Sequence, residues 1–499
     1  MLLGIKNKLP LLNILTKEQV EEVHQATLRL LELTGVRVRS QQALDILDNA
    51  GCMIDKKSER AWIPSGIVEE QVKKSPSSFA WYSAHPDSKK HIRLEPGRVN
   101  YTISHSPTHV IGLDGKRRQA IFQDIADMTR LGDALEMMHV GGSGLSGTKE
   151  EIDQGLDRIT AAAIRFIYEI KNSDKPIFVP PAGATTDEAF DFFNIIRQDV
   201  YDLRRRPCTW AWVNTVSPLT HDEVSTDYAI GFAMFGLPVL FCPEVMSGAT
   251  GPATLGGVLV QHNAEVLSGV VMCQLAAEQF GMNHRPPIIY GTASTIMDPK
   301  TAQIALGAPE AGLLNALTAQ MARYYKLPTR GTAGCTEAKV LDAQAGQESA
   351  MNALIASMAG INVIVDAIGG LGPGVQANSY AAMIFHDENL KAISRILRGI
   401  EISDETLALS VIDEIAPQKD YLGHAHTLKH FRTEYFFPKL FDRRDFEIFE
   451  KTEQKNIQAR SLEMANKILA DHQPKELDKD IVKQLDDVMV KIRKKFVRS

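Results

Sequence analysis

The chain has 499 residues, 44% of them apolar, 23% charged and 7% aromatic, with 35 glycines and 23 prolines. Disordered, collagenous and coiled-coil classes are thereby excluded, and the length admits roughly two to four domains, or one barrel-sized domain with extensions. Its 55 Lys plus Arg against 61 Asp plus Glu give a formal net charge of −6, which lacks the basic excess that nucleic-acid binding needs.

The first residues, MLLGIKNKLPLLNILT, are apolar but broken by Lys6, Lys8 and Pro10 and show no small-residue cleavage site, so they do not read as a signal peptide. No apolar run of transmembrane length follows, and no membrane association is expected. Residues 16–35 carry Val20, Val23, Ala26, Leu30 and Leu31 at helical spacing, with Thr16 as cap and Gly35 as stop. Residues 1–98 are read as a mostly helical N-terminal extension.

From residue 99 the pattern changes to short β-like runs, each followed by a longer helical pattern. The runs begin near Val99, Met138, Ile177, Cys208, Pro238, Pro287, Pro328 and Ile361. Helical candidates lie between them, among them 121–136, 151–171, 187–199, 253–280 and 377–398. Eight β-then-α units predict an α/β fold, specifically a (β/α)8 TIM barrel over 99–398. Residues 399–499 are read as a C-terminal helical extension with charged faces, ending in KIRKKFVRS.

In such a barrel the active site gathers at the carboxyl ends of the strands, which selects His105, Ser106, Ser143, Pro180, Pro181, Asn214, Glu244, Ser247, Tyr290, Thr292, Arg330, Cys335 and Asp366. In CTWAWVNTVSP, period-two alternation puts Trp210, Trp212 and Asn214 on one face. With Tyr290 the two indoles read either as ordinary core or as an aromatic wall for a quaternary ammonium group. Glu244, before the Gly-rich turn MSGATGPATLGG, faces a cationic ligand or forms a structural ion pair. Neither a P-loop nor a dinucleotide fingerprint is present, and no Ser-His-Asp or nucleophile-elbow pattern occurs.

Five cysteines (Cys52, Cys208, Cys242, Cys273, Cys335) are odd in number and form no C-x-x-C pair. They indicate a reducing, cytoplasmic setting without a disulfide framework. His424, His426 and His430 form a cluster past the last strand, read as structural because no third-ligand motif accompanies it. No metal is expected.

Several stretches together, TGVRVRSQQALDILDNAGC, GATGPATLGGVLVQHNAEVLSG, IIYGTASTIMD, GAPEAGLLNALTAQMARYYKLPTR, LDAQAGQESAMNALIASMAGIN and HAHTLKHFRTEYFFPKLFDR, resemble the trimethylamine methyltransferase family over nearly the whole chain. The resemblance implies a TIM-barrel enzyme that passes a methyl group from an amine to the Co(I) of a separate corrinoid protein, so that cobalamin comes on a partner and this chain binds no cofactor tightly. The trimethylamine enzymes carry pyrrolysine in the stretch matching GTAGCTEAK, residues 331–339, where only ordinary residues stand here, Gly334 and Cys335 nearest the position. The chain thus looks like the non-pyrrolysine branch, whose members demethylate quaternary amines such as glycine betaine. Proline betaine, carnitine, γ-butyrobetaine and a non-catalytic betaine-binding role are the alternatives. Trp210, Trp212, Asn214, Glu244, Tyr290, Arg330, Asp366 and His386 are the expected substrate-binding residues, with Arg330, Asn214 and His386 as donors to a betaine carboxylate. No catalytic residue is assigned. The amphipathic ends predict packing on a neighbouring subunit in a homo-oligomer.

Overall fold

The computed structural model describes residues 1–177, 200–417, 420–452 and 454–496. Six parallel strands form the central sheet in the order Ala211–Val213, Val239–Phe241, Ile288–Gly291, Thr329–Thr332, Val363–Ile368 and Arg98–Ile103, with Ile5–Lys6 added antiparallel at the last. Parallel bridges Thr102 to Val140 and Gly141 to Ile177 extend the same order by two more segments. The eight runs found in the sequence, that at Ile177 through this one residue, therefore follow one another in chain order, in an α/β fold. The pairing does not close into a barrel among the described residues. Pro180, Pro181 and the expected helix 187–199 lie outside them.

Each strand is followed by a helix for the reason the sequence suggests: a short apolar run that pairs its backbone, then a longer stretch of helix formers. The helices Phe122–Ala134, Arg158–Asn172, Glu223–Met234, Leu255–Gln279, Pro309–Tyr325, Ala343–Met358 and Tyr380–Leu397 cover one face of the sheet. Close packing is enforced at Gly269, where an added Cβ would lie 2.5 Å from Phe241 Cδ1. The opposite face buries a second cluster of Val140, Trp210, Leu240, Cys242, Ile289, Val363 and Val365. A hairpin of Phe79–Tyr82 and His91–Leu94 inserts Trp81, Ile92 and Leu94 into that cluster, closing the end at which the strands begin.

The N-terminal 98 residues differ from the mostly helical expectation. Helices Lys17–Leu33, Gln41–Asn49 and Ser65–Lys74 alternate with the strands Val36–Val38, Met53–Asp55 and Arg60–Trp62 and with the hairpin above. The cause is local: segments such as VRV, FAWY and HIRL are β-branched, aromatic and alternating, which suits half-buried strands. Thr16 caps the first helix through a reciprocal pair with Gln19, as its spacing predicts. Leu255–Gln279 packs against Lys17–Leu33 and Ser65–Lys74 as well as the strand Val239–Phe241, which is why it is buried almost throughout. Among the described residues no helix is long and apolar enough to cross a membrane.

Candidate active site

At the carboxyl ends of the strands, side chains from five different segments converge. Strand alternation directs Trp210 and Trp212 to the inner face while Ala211 and Val213 join the helix-covered core. Trp212 Nε1 donates to Asn214 Oδ1 at 2.7 Å, and Asn214 Nδ2 donates to Glu244 Oε1 at 2.9 Å. Each partner is the second residue along its strand end, so the same alternation carries the chain of hydrogen bonds out to the mouth.

Arg330 sits below them on the inner face, 4% exposed. Its Nη1 donates to the Thr292 carbonyl at 2.7 Å and to Thr332 Oγ1 at 2.5 Å, and lies 3.2 Å from Cys242 Sγ. The guanidinium carbon stands 4.8 Å from the centroid of the Trp212 indole, a cation–π contact. Its Nη2 is 4.0 Å from Asp366 Oδ2.

Asp366 has φ = 66°, in the left-handed region, at an irregularity in the pairing between Ile364 and Ile368. A non-glycine residue held there costs about 1–3 kcal/mol and marks sites where geometry is imposed by function. The Asp366 carboxylate accepts the His105 backbone N–H at 2.8 Å. Burial pushes its pKa up to about 6; Arg330 and the His105 N–H restrain the rise, and Glu244 adds to it. Glu244 is likewise pushed up by burial, against the pull of Arg330. It is ringed by protein and yet reached by solvent, as a side chain lining an open cavity must be. His105, its ring 5.9 Å from that of Trp212, is driven down to about 3 by burial and then by Arg330, and is neutral at physiological pH. Two carboxylates thus face one guanidinium, and the site is anionic when both are ionised.

The stretch 331–339 passes beside Asp366. Gly334 has φ = 92° and lies so close to the next strand end that a Cβ would meet Ala367 Cα at 2.8 Å. Cys335 is buried against Leu306 and Val375. Its thiol is pushed well above the usual range by burial and by Asp366, and a protonated thiol is a poor nucleophile. Among the described residues no three His, Cys, Asp or Glu side chains are grouped to hold a metal ion.

Of the eight residues selected from the sequence, the structure brings together Trp212, Asn214, Glu244, Arg330 and Asp366. Three lie elsewhere. Trp210 is 2% exposed and packs on Trp81 with ring centroids 4.1 Å apart, in the closed end of the inner cluster. Tyr290 points to the opposite face of the sheet, where its hydroxyl donates to Asn263 Oδ1 at 3.0 Å and its ring stacks on Tyr325. The register explains this: Trp212 pairs with Leu240, which pairs with Ile289, so Ile289 shares the Trp212 face and Tyr290 does not. His386 is inside the helix Tyr380–Leu397, where Nδ1 accepts the Gly369 N–H at 3.0 Å; it braces the turn after the Val363–Ile368 strand. Of the Arg330 guanidinium only Nη1 donates to protein acceptors, while Nε is buried without a hydrogen-bond acceptor and Nη2 stands 4.0 Å from Asp366 Oδ2. Cys242 and Thr332, which hold Arg330, were missed as site residues, although each stands two positions from a selected residue and so on the same face. His105 was on the strand-end selection and was not assigned to the binding set.

The description MTTB, trimethylamine methyltransferase, matches residues 2–497. The chain is 29% identical to a glycine betaine methyltransferase of Desulfitobacterium hafniense strain Y51, over 95% of both chains. It is 30% identical to the trimethylamine methyltransferase MttB of Desulfitobacterium hafniense strain DSM 10664 / DCB-2, over 95% of this chain and 92% of that one. Among solved structures, the monomethylamine methyltransferase of Methanosarcina barkeri shares the fold, with a TM-score of 0.52 and 10% identity over 94% of this chain and 90% of that one. The chain belongs to the trimethylamine methyltransferase family and is a methyltransferase.

Proposed function

We propose that this chain transfers a methyl group from a quaternary amine, glycine betaine, to the Co(I) of a corrinoid protein, at the mouth of a (β/α)8 barrel over about residues 99–398. The observation that carries the choice of substrate is the anionic mouth beside a half-buried indole, with only ordinary residues at 331–339. Identity to the betaine and trimethylamine relatives is nearly equal, so the choice of a betaine rests on the site residues.

A quaternary nitrogen is already a good leaving group: the C–N bond breaks with its electron pair remaining on nitrogen, a neutral tertiary amine departs, and no proton moves. A neutral tertiary amine would instead have to expel a strongly basic amide-like anion. Co(I) delivered by a partner supplies the attacking electron pair. This chain's residues then have the task of position and charge. Asp366 and Glu244 attract the ammonium, and the half-buried Trp212 indole gives it an apolar wall without trapping it covalently. Arg330 holds the indole and offsets part of the negative charge, so that the ground-state cation is not overstabilised. The betaine carboxylate points away from Asp366 and Glu244 and out of the mouth into solvent, on the side of the exposed Ser106.

Incubating the protein with Co(I) cobalamin and a panel of methylamines and betaines, and following the methyl-cobalt absorbance, tests the reading. Glycine betaine should methylate cobalt while trimethylamine, dimethylamine and monomethylamine should be negligible. Methylation from trimethylamine that matches every betaine would overturn it. The five free, buried cysteines support the cytoplasmic setting that belongs to the same proposal.

A further inference from the structure

The helix Leu255–Gln279 lies in the core, yet polar side chains are buried along it, among them Gln261, His262, Glu265 and Ser268, the last three 0% exposed. Gln261, Glu265 and Ser268 recur at i, i+4 and i+7 and so form one stripe on the helix. Burying a carboxyl group among apolar side chains is costly unless hydrogen bonds satisfy it. The stripe therefore needs a reason that packing does not supply.

The reason lies in what it holds. Glu265 Oε2 accepts the hydroxyls of Thr215 and Ser217, the latter at 2.8 Å, and its Oε1 accepts the Leu219 N–H at 2.9 Å and Gln261 Nε2 at 3.0 Å. The same Gln261 Nε2 donates to the Thr250 carbonyl at 2.9 Å, and Thr250 Oγ1 accepts the Met246 N–H at 2.9 Å. One carboxylate thus ties the loop that follows Asn214 to the turn that follows Glu244. These are the two strand ends joined at the mouth by the Asn214–Glu244 hydrogen bond. Beside the stripe, His262 Nδ1 meets Ser294 Oγ at 2.9 Å, and that oxygen accepts the Val245 N–H at 3.0 Å. The residue after Glu244 is therefore held from this helix as well.

All four groups that meet Glu265 donate to it. A carboxylate accepts at both oxygens, whereas the amide of glutamine accepts at one and turns a donor toward the other pair. An acid at 265 is what this junction requires. Being fully buried, it acts on a ligand only through the loops that it holds.

We propose that Glu265 is a positioning residue of the amine site: it fixes the loop 215–219 against the turn 245–251, so that Asn214 stays bound to both Trp212 and Glu244 and the Glu244 carboxylate stays directed at the ammonium. The assignment of Glu244 to the ammonium rests on the function proposed above; the hydrogen bonds of Asn214 do not. Because Trp212 Nε1 donates to Asn214, its indole N–H resonance reports where Asn214 stands, and W212F identifies it among those of the four tryptophans. In the 15N-labelled full-length protein, E265Q should move that resonance and leave the other three in place. T215V/S217A, which removes two of the donors and keeps the acid, should move it as well. S268A removes the contact of His221 Nε2 with Ser268 Oγ at 2.8 Å on the same stripe; it should lower the denaturation midpoint and leave the Trp212 signal where it was.

By titration calorimetry E265Q should weaken glycine betaine binding about three- to tenfold, the scale of one hydrogen bond. In an N214A background it should weaken binding no further, because the effect passes through Asn214. A Trp212 signal unmoved by E265Q and by T215V/S217A, an equal shift in S268A, or the same fold loss with and without Asn214 would each overturn the proposal. A wild type that binds no betaine would sink the choice of substrate, while the indole signals would still decide the role of Glu265.

Discussion

Trp210 and Trp212 stand two residues apart on one face of one strand, and their fates differ. Trp210 lies at the closed end, where Trp81 from the N-terminal hairpin packs tilted against it and Phe79 meets it edge-on. Trp212 lies at the open end, where Arg330 covers one face, Asn214 takes its N–H, and part of the ring meets solvent. The same residue type on the same face is core at one depth and candidate binding surface at the next. Alternation selects the face, whereas depth along the strand, set by what plugs each end, selects the role.

The comparison can be broken most forcefully at the closed end. Trp210→Ala should cost about 4 kcal/mol by opening a cavity, read as a lower urea midpoint, with no separate effect on amine affinity. Arg330→Met should cost about 3 kcal/mol, because it leaves the buried Asp366 without its counter-charge. Asp366 should then titrate above about 6, as a carboxyl-group signal in a pH series would show.

Asp366→Asn sharpens the open end through pH. The folded-state pKa of about 6 lies above the ordinary 3.8. This group's contribution to stability is therefore fully present below 3.8 and is lost as pH rises through about 6, a change of about 3 kcal/mol. Denaturation midpoints of the wild type between pH 4 and 8 should contain this decline, and D366N should lack it. Ionisation runs the other way for function: affinity for a cationic amine should fall as pH drops through about 6 in the wild type and should be weak and flat in D366N, by titration calorimetry. Trp212→Leu should weaken ammonium binding by about 0.5–2 kcal/mol. Tyr290→Phe, on the other face, should lower stability by about 1 kcal/mol through the lost Asn263 bond and leave amine affinity unchanged.

Much of the fold was legible because its signals are local. Eight apolar runs separated by helical patterns predict parallel strands in chain order, and the strand-end rule pointed to Asn214, Glu244, Arg330 and Asp366. The N-terminal extension was misread because three clear helices outweighed strands of only three or four residues.

By itself the sequence determined which residues alternate to one side of a strand, that 331–339 contains only ordinary residues, and that the chain resembles a methyltransferase family. Only the tertiary structure decided that Asp366 turns left-handed at an irregular pairing to hold His105, that Arg330 meets Trp212 across the inner face, and that Tyr290 falls on the wrong side to join them. Periodicity is a property of neighbours along the chain. A site is a property of register between strands that lie tens to hundreds of residues apart, and a slip of one residue in that register turns a side chain from one face of the sheet to the other.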